Sequence, residues 1–202
     1  MRAVPVLWPS ISTPPDEVEA VKELSAQLCG IAFNVEAWAS AHRLYEFAKL
    51  FPPGVQRADA RQWKFLATHE CALQLHHLRE RLERIPGFFL RRCPSLVSQV
   101  DAQALRAARK KLDEYFPDID MLRHAIAHAG EIETTPRGMA PEQEFALSGF
   151  HQPDVFSAAY KGQIRKLEVS SKSHTRIQEV VAIFLSAFTV AASTLEAQGH
   201  LE

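Results

Sequence analysis

The chain lacks a charge excess of either sign. Lys and Arg total 23 against 24 for Asp and Glu, a formal net charge of −1. No whole-molecule field therefore draws it to a polyanion, and any nucleic-acid contact must rest on a local patch. It is also poor in cysteine. Cys29, Cys71 and Cys93 are odd in number and none are spaced as metal ligands, which argues against a disulfide scaffold or a zinc ribbon and for reduced thiols in a cytoplasmic protein. Long hydrophobic runs are missing. The longest, Val180 to Ala192, is interrupted by Ser186 and Thr189 and falls well short of the roughly 20 residues that cross a bilayer, so it reads as a buried core helix and not as a membrane anchor. The apolar start, Ala3 to Ile11, is broken by Pro5 and Pro9 and has no secretory hydrophobic centre. No Gly-rich loop suits a nucleotide phosphate and no serine sits in a nucleophile elbow. No cofactor and no metal is called for.

What remains is a chain of 202 residues with 47% hydrophobic and 23% charged content, enough for one domain with a sizeable core. Residues 1–15 hold Pro5, Pro9, Pro14 and Pro15 and are expected to form a proline-rich N-terminal arm. A single helical domain is expected over 16–200. Its first helix starts near Asp16, with Glu17 and Glu19 in its first turn. Val18, Val21, Leu24, Leu28, Ile31, Val35, Trp38, Ala41, Leu44, Tyr45 and Ala48 then recur at three- and four-residue steps up to Pro52-Pro53-Gly54. A second helix is expected from Asp59 to Ile85, with Trp63, Leu66, Ala67, Cys71, Leu73, Leu75, Leu78 and Leu82 on its apolar face, closed by Pro86-Gly87 and followed by a loop. The third spans Asp101 to His128 with a kink at Pro117, and Gly130 placed to end it.

Between 133 and 170 the texture changes. Three prolines, three glycines and the alternating stretch Ile164 to Val169 read as a β-hairpin or irregular insertion before the last helix. That helix, Ser171 to Ala197, is strongly apolar. The fold class is thus all-α, an antiparallel bundle of four to five helices with a small β insertion.

The chemistry concentrates in one place. Asp120, Arg123, His124 and His128 crowd the end of the third helix. With Arg123 set at zero around the axis, Asp120 falls near ~60°, His124 near ~100° and His128 near ~140°, whereas Leu112, Tyr115, Ile119, Leu122, Ala125, Ile126 and Ala129 fill the arc from roughly 200° to 340°. The titratable residues therefore share one face and the core takes the other. Asp120, His124 and His128 follow at i,i+4 steps, which permits carboxylate-to-imidazole hydrogen bonds.

This constellation resembles the signature of the HEPN superfamily, in which an arginine and a polar follower precede a histidine by a short spacer near the end of a bundle helix. Arg123 matches the arginine, His124 the follower, and His128 the histidine after a spacer of four residues (His124 to Ala127). The resemblance implies a metal-independent endoribonuclease, with two motifs meeting across a homodimer to form a composite site, and a role as a toxin or defence effector with an antitoxin or regulator as possible protein partner. His128 would be the base or acid, Arg123 would clamp phosphate, His124 would orient the site, and Asp120 would fix the tautomer of His124.

Three other readings compete. The face could carry only solvated ion pairs. His124 and His128 could hold a metal with Asp120 or Glu131, or with His69, Glu70, His76 and His77 of the second helix. Ala125 stands where the glutamate of an HExxH motif would be, which removes the zinc-protease version. Finally, the chain could be a non-catalytic HEPN-like module binding RNA, a nucleotide or a protein partner. For RNA, the stretch Arg79 to Lys111 carries nine basic residues against three acids. Arg91, Arg92, Arg106, Arg109 and Lys110 are its candidate phosphate contacts. His76 and His77 read as a helix-face pair, Cys29 and Cys71 as core thiols, and Trp8, Trp38 and Trp63 as packing residues.

Overall fold

Long runs of apolar residues at helical spacing, uninterrupted by proline, give the chain its two longest elements. In a computed structural model describing residues 4–51, 57–127, 148–152, 154–160 and 163–199, these are α1 (Val18–Lys49) and α2 (Arg57–Arg84). The next elements are short helical turns over Ile85–Phe89 and Leu90–Arg92, then α3 (Pro94–Val97), α4 (Ala102–Tyr115) and α5 (Ile119–Ala127). Strands β1 (Ser148–Gln152), β2 (Val155–Tyr160) and β3 (Gln163–Glu168) precede α6 (Ser171–Ser186) and α7 (Thr189–Ala197). The protein is mostly helical, with a small antiparallel sheet before its last helices.

Several expectations change. The anticipated loop after Ile85 is a series of helical turns. The third helix is two helices, because Pro117 offers no amide hydrogen and pushes Phe116 away from helical backbone. The last helix is also two, with a bend of 46° between them. The insertion, anticipated as a β-hairpin or irregular segment, holds a three-stranded meander in the order β1-β2-β3. Glu17 precedes α1 and accepts the N–H of Val21 through its carbonyl at 2.9 Å, but its side chain does not serve the first turn. It is buried, and its carboxylate accepts hydrogen bonds from the backbone N–H (3.2 Å) and hydroxyl (2.6 Å) of Ser95, near the start of α3.

The contacts group the chain into two compact units that interleave in sequence. One comprises residues 1–35, 77–115 and 175–202, the other 36–76 and 116–174.

The first unit buries Val21, Leu24, Leu28 and Ile31 of α1, Leu78 and Leu82 of α2, Leu105 and Leu112 of α4, and Val180, Phe184 and Phe188 near the chain's end. The N-terminal arm is packed, not free. Leu7 is fully buried and donates its backbone N–H to Ser25, and Ser10 donates its hydroxyl to Gln198 at 2.9 Å. Asp101 caps α4, accepting the backbone N–H groups of Gln103 (2.8 Å) and Ala104 (3.1 Å). Among the described residues no single helix is long and apolar enough to cross a membrane. The bent pair α6 and α7 passes that test only together, and Val180, Val181, Phe184, Leu185, Ala191 and Leu195 are buried in the protein.

In the same unit, Arg81 of α2 meets α1. Its Nε donates to Asn34 at 2.9 Å and its Nη1 to Gln27, and a methyl group on Gly30 would run into the guanidinium. The missing side chain of Gly30 is thus what lets this cation reach its two amides. Gly30→Ala should destabilise the protein even though alanine is the better helix former by about 1 kcal/mol, because the displaced cation loses bonds worth about 1.5–3 kcal/mol. In an Arg81→Ala background the sign should reverse, and the same substitution should stabilise by about 1 kcal/mol. Urea unfolding of the two single variants and the double variant checks this, and additive effects would contradict it.

The second unit is built on α5 and the sheet. β2 and β3 pair in register, Phe156 opposite Leu167 and Ala158 opposite Arg165, so these four side chains share one face. Phe156, Ala158 and Leu167 are buried there, and α5 packs on both strands with Ile119, Leu122 and Ala125 buried. Trp38, Ala41, Tyr45, Ala67, Cys71 and Leu75 are among the residues buried from α1 and α2.

Candidate functional site

The nine residues of α5 split as the helical wheel requires. Ile119, Leu122 and Ala125 are buried, whereas Asp120, Arg123 and His124 are half-buried. The start of the helix is pinned. Arg165 of β3 donates to the Asp118 carboxylate at 2.8 Å, and the Asp118 carbonyl accepts the first helical bond, from Leu122 N–H at 2.9 Å. A short helix is marginal alone; this one takes its stability from the sheet below it and from that ion pair. Its polar residues are therefore carried on a braced element.

Asp120 reaches across to α2, where its Oδ1 lies 3.2 Å from His76 Nδ1. His76 is largely buried (side chain 16% exposed) and Asp120 more open (42%). An imidazole between a helix and an ionised carboxylate has its proton on the nitrogen nearest that carboxylate, which orients the ring. The sequence reading set Asp120 beside His124 and treated His76 as a helix-face residue, because spacing along one helix says nothing of a partner on another. His128 and Glu131 lie outside the described residues. Among the described residues, no three His, Cys, Asp or Glu side chains gather as a metal site would require.

The basic candidates all belong to the other unit. Arg92 pairs with Glu23 and lies over the ring of Phe88. Arg109 lies 3.7 Å from Glu83, and Lys110 lies 3.7 Å from Glu114. Arg91 and Arg106 are exposed. On α4, Arg106, Arg109 and Lys110 line a shallow depression shared with Asp113 and Glu114. The excess of positive charge along the sequence is thus partly offset by acids outside the stretch, Glu23 of α1 and Glu114 of α4.

A second polar cluster escaped the sequence reading. Trp38 stacks with His42 (ring centroids 5.3 Å apart) and with His174 (5.5 Å). One helical turn on, Tyr45 donates to Asp154 at 3.1 Å and Lys49 binds the same oxygen at 2.8 Å. Asp154 turns the chain between β1 and β2 with φ of 63°, a left-handed conformation that aspartate tolerates better than most residues. These bonds moor the hairpin to α1. Burial and the neighbouring carboxylate push the Tyr45 hydroxyl up to about 12, and the bonds from Lys49 and Tyr45 outweigh burial to hold Asp154 below the usual carboxylate range. Only residue types scattered from Trp38 to His174 signal this cluster, and no local spacing would reveal it. Trp38 is the packing residue expected, but Cys29, expected in the core, is exposed, whereas Cys71 and Cys93 are buried and burial raises both thiols.

Burial also holds His42, His69 and His174 below their ordinary value of 6.5. His69 lies 4.3 Å from the ring of Phe65 and 5.7 Å from that of Phe156, between centroids. All three are neutral in the folded protein near pH 7, so His42 and Glu46 do not form an ion pair there. As pH falls below 6.5 the unfolded chain takes up protons first, so stability is full above 6.5 and declines as pH falls through the lower folded values. The thermal midpoint should drop from roughly pH 7 to roughly pH 5, and less so in His69→Phe. A flat profile would contradict this.

Set beside protein-family models, curated proteins and solved structures, the chain matches none of them.

Proposed function

We propose that this chain is a metal-independent endoribonuclease of HEPN type, a cytoplasmic toxin or defence effector whose bundle dimerises to make a composite site. The observation that carries the reading is α5 itself. It is a short helix braced on a sheet, with Arg123 and His124 half-buried on the face opposite its apolar side. His128 follows in sequence at the spacing of the motif. Cleavage of RNA by its own 2′-hydroxyl needs a base for that proton, an acid for the departing 5′-oxygen and a cation for the charge that builds on phosphorus. Histidines at neutral pH supply the first two, and a guanidinium fork fits the third.

A second reading, the non-catalytic HEPN-like module that binds RNA, a nucleotide or a protein, draws support from the ion-paired state of Arg92, Arg109 and Lys110. Such pairing weakens the field available to a long RNA backbone.

One assay separates them: incubation of a mixed RNA pool with the purified protein in EDTA, beside His128→Ala. Cleavage by the wild type alone, leaving 2′,3′-cyclic phosphate ends, is the expected result. Absence of cleavage from a folded wild type favours the binding module.

A further inference from the structure

We infer that the cleft between the N-terminal arm and α7 binds an alkylguanidinium, the chemistry of an arginine side chain. The cleft has a volume of about 330 Å³ and is lined by Pro5, Val6, Trp8, Ala192 and Glu196, all residues of one compact unit. Ligand sites begin near ~300 Å³, so this one suits a single side chain or a small cation.

Its walls are set by how the arm is held. Leu7 and Pro9 are buried, whereas Val6 and Trp8 are 42% and 58% exposed, the alternation of an extended chain. Trp8, expected as a packing residue, stands outward instead. Pro5 and Pro9 fix their own φ on either side of it. Three bonds moor the arm: Leu7 N–H to Ser25, the Ser10 hydroxyl to Gln198, and Ile11 N–H to the Gly199 carbonyl at 3.2 Å. Gln198 and Gly199 follow Glu196 within three residues. Indole and carboxylate are therefore in place before a ligand arrives, which lowers the ordering cost of binding.

Neither group serves the fold. Among the described residues, no ring stacks on Trp8 and no cation pairs with Glu196. Glu196 stands in the last turn of α7, which carries no basic residue. An acid there opposes the helix dipole, whose negative end lies at the C-terminus. Carboxylate and dipole together favour a cation in the cleft, and the indole face attracts one through its quadrupole. The wall composition selects among cations. A quaternary ammonium is best held by rings on several sides, and here a single ring lines the cleft. A guanidinium is flat and weakly hydrated, so its plane stacks on one ring while its edge gives two N–H groups to a carboxylate. Its apolar stem has Val6 and Ala192 to lie against.

The test follows the indole and backbone amide signals of the isotope-labelled full chain as n-butylguanidinium is added at constant ionic strength. n-Butylammonium is the control cation, and a blocked tripeptide with a central arginine carries the guanidinium on a peptide. Saturable shifts are expected at the Trp8 indole and at the Ala192 and Glu196 amides, with the Trp38 and Trp63 indoles unmoved. Trp8→Ala and Glu196→Gln should each weaken binding about three- to fivefold, read on the amides. n-Butylammonium should bind at least about threefold more weakly than n-butylguanidinium. Both substituted side chains are exposed, and unchanged amide signals elsewhere verify that the variants fold. Tighter binding of the tripeptide assigns the site to the arginine of a protein partner, whereas equal or weaker binding assigns it to a free guanidinium compound. Binding that survives both substitutions, equal binding of the two butyl cations, or the absence of a saturable shift overturns the inference.

Discussion

Arg123→Ala should lower RNA cleavage by about two to three orders of magnitude without unfolding the protein. The residue is half-buried on the polar face of α5, away from Ile119, Leu122 and Ala125. Its removal therefore takes away a cation and little core packing. If the guanidinium stabilises charge that exists only in the transition state, the loss falls on kcat more than on KM. Arg123→Lys should remain well below the wild type, because an ammonium is a point charge and cannot present two parallel donors to phosphate oxygens. His128→Ala should match the alanine variant, with a loss of about a hundred- to ten-thousandfold. Single-turnover rates on an end-labelled RNA check each of these. Undiminished cleavage by Arg123→Ala would remove the motif from the chemistry and return α5 to the status of a packed helix with a solvated face.

The second large effect is structural. Phe156→Ala should cost about 3–5 kcal/mol of unfolding free energy, a large share of the ~5–15 kcal/mol that holds a domain together. Phe156 is fully buried on β2, opposite Leu167, with Phe65 and His69 of α2 edge-on to its ring at 5.8 and 5.7 Å. It thus lies in the layer that supports α5. Because α5 packs on β2 and β3, the cavity should loosen that helix before it loosens α1. Hydrogen exchange should report this as faster exchange in Ile119–Ala127, and a denaturant midpoint shift gives the magnitude. Phe156→Leu, which keeps most of the volume, should cost less. A small effect of the alanine variant would mean that the sheet contributes little to placing the candidate site.

The existence of the first two helices was legible from period alone. Of the apolar face expected on α1, Val21, Leu24, Leu28, Ile31, Val35, Trp38, Ala41, Tyr45 and Ala48 are buried. Leu44, Leu66 and Leu73 share the helical period but are 40%, 55% and 38% exposed, because a period fixes an angle around the axis and not the width of the neighbour that covers it. The strand over Ile164 to Glu168 was legible in part: Leu167 and Val169 alternate and are buried, whereas Ile164 stands on the other face and is 47% exposed. The break at Pro117 was half-legible: proline announces a disruption, but only the packing of α5 on the sheet separates a kink from two helices. Between α6 and α7 neither proline nor glycine marks the bend. There the Ala187 carbonyl accepts a hydrogen bond from Asp101 N–H, at the start of α4, a partner no local pattern could announce.

The sequence by itself determined which residues could bear chemistry and on which side of their own helix they stand, because side-chain direction follows from a fixed rotation per residue. It placed Asp120, Arg123 and His124 away from the core, and the structure has them so. The tertiary structure alone decided what those residues meet. That Asp120 faces His76 and not only its own helix, that Arg165 pins Asp118, and that Glu23 meets Arg92 all depend on chain crossings tens of residues apart. Such crossings are set by the summed burial of apolar surface across the whole molecule, a quantity that no local spacing contains.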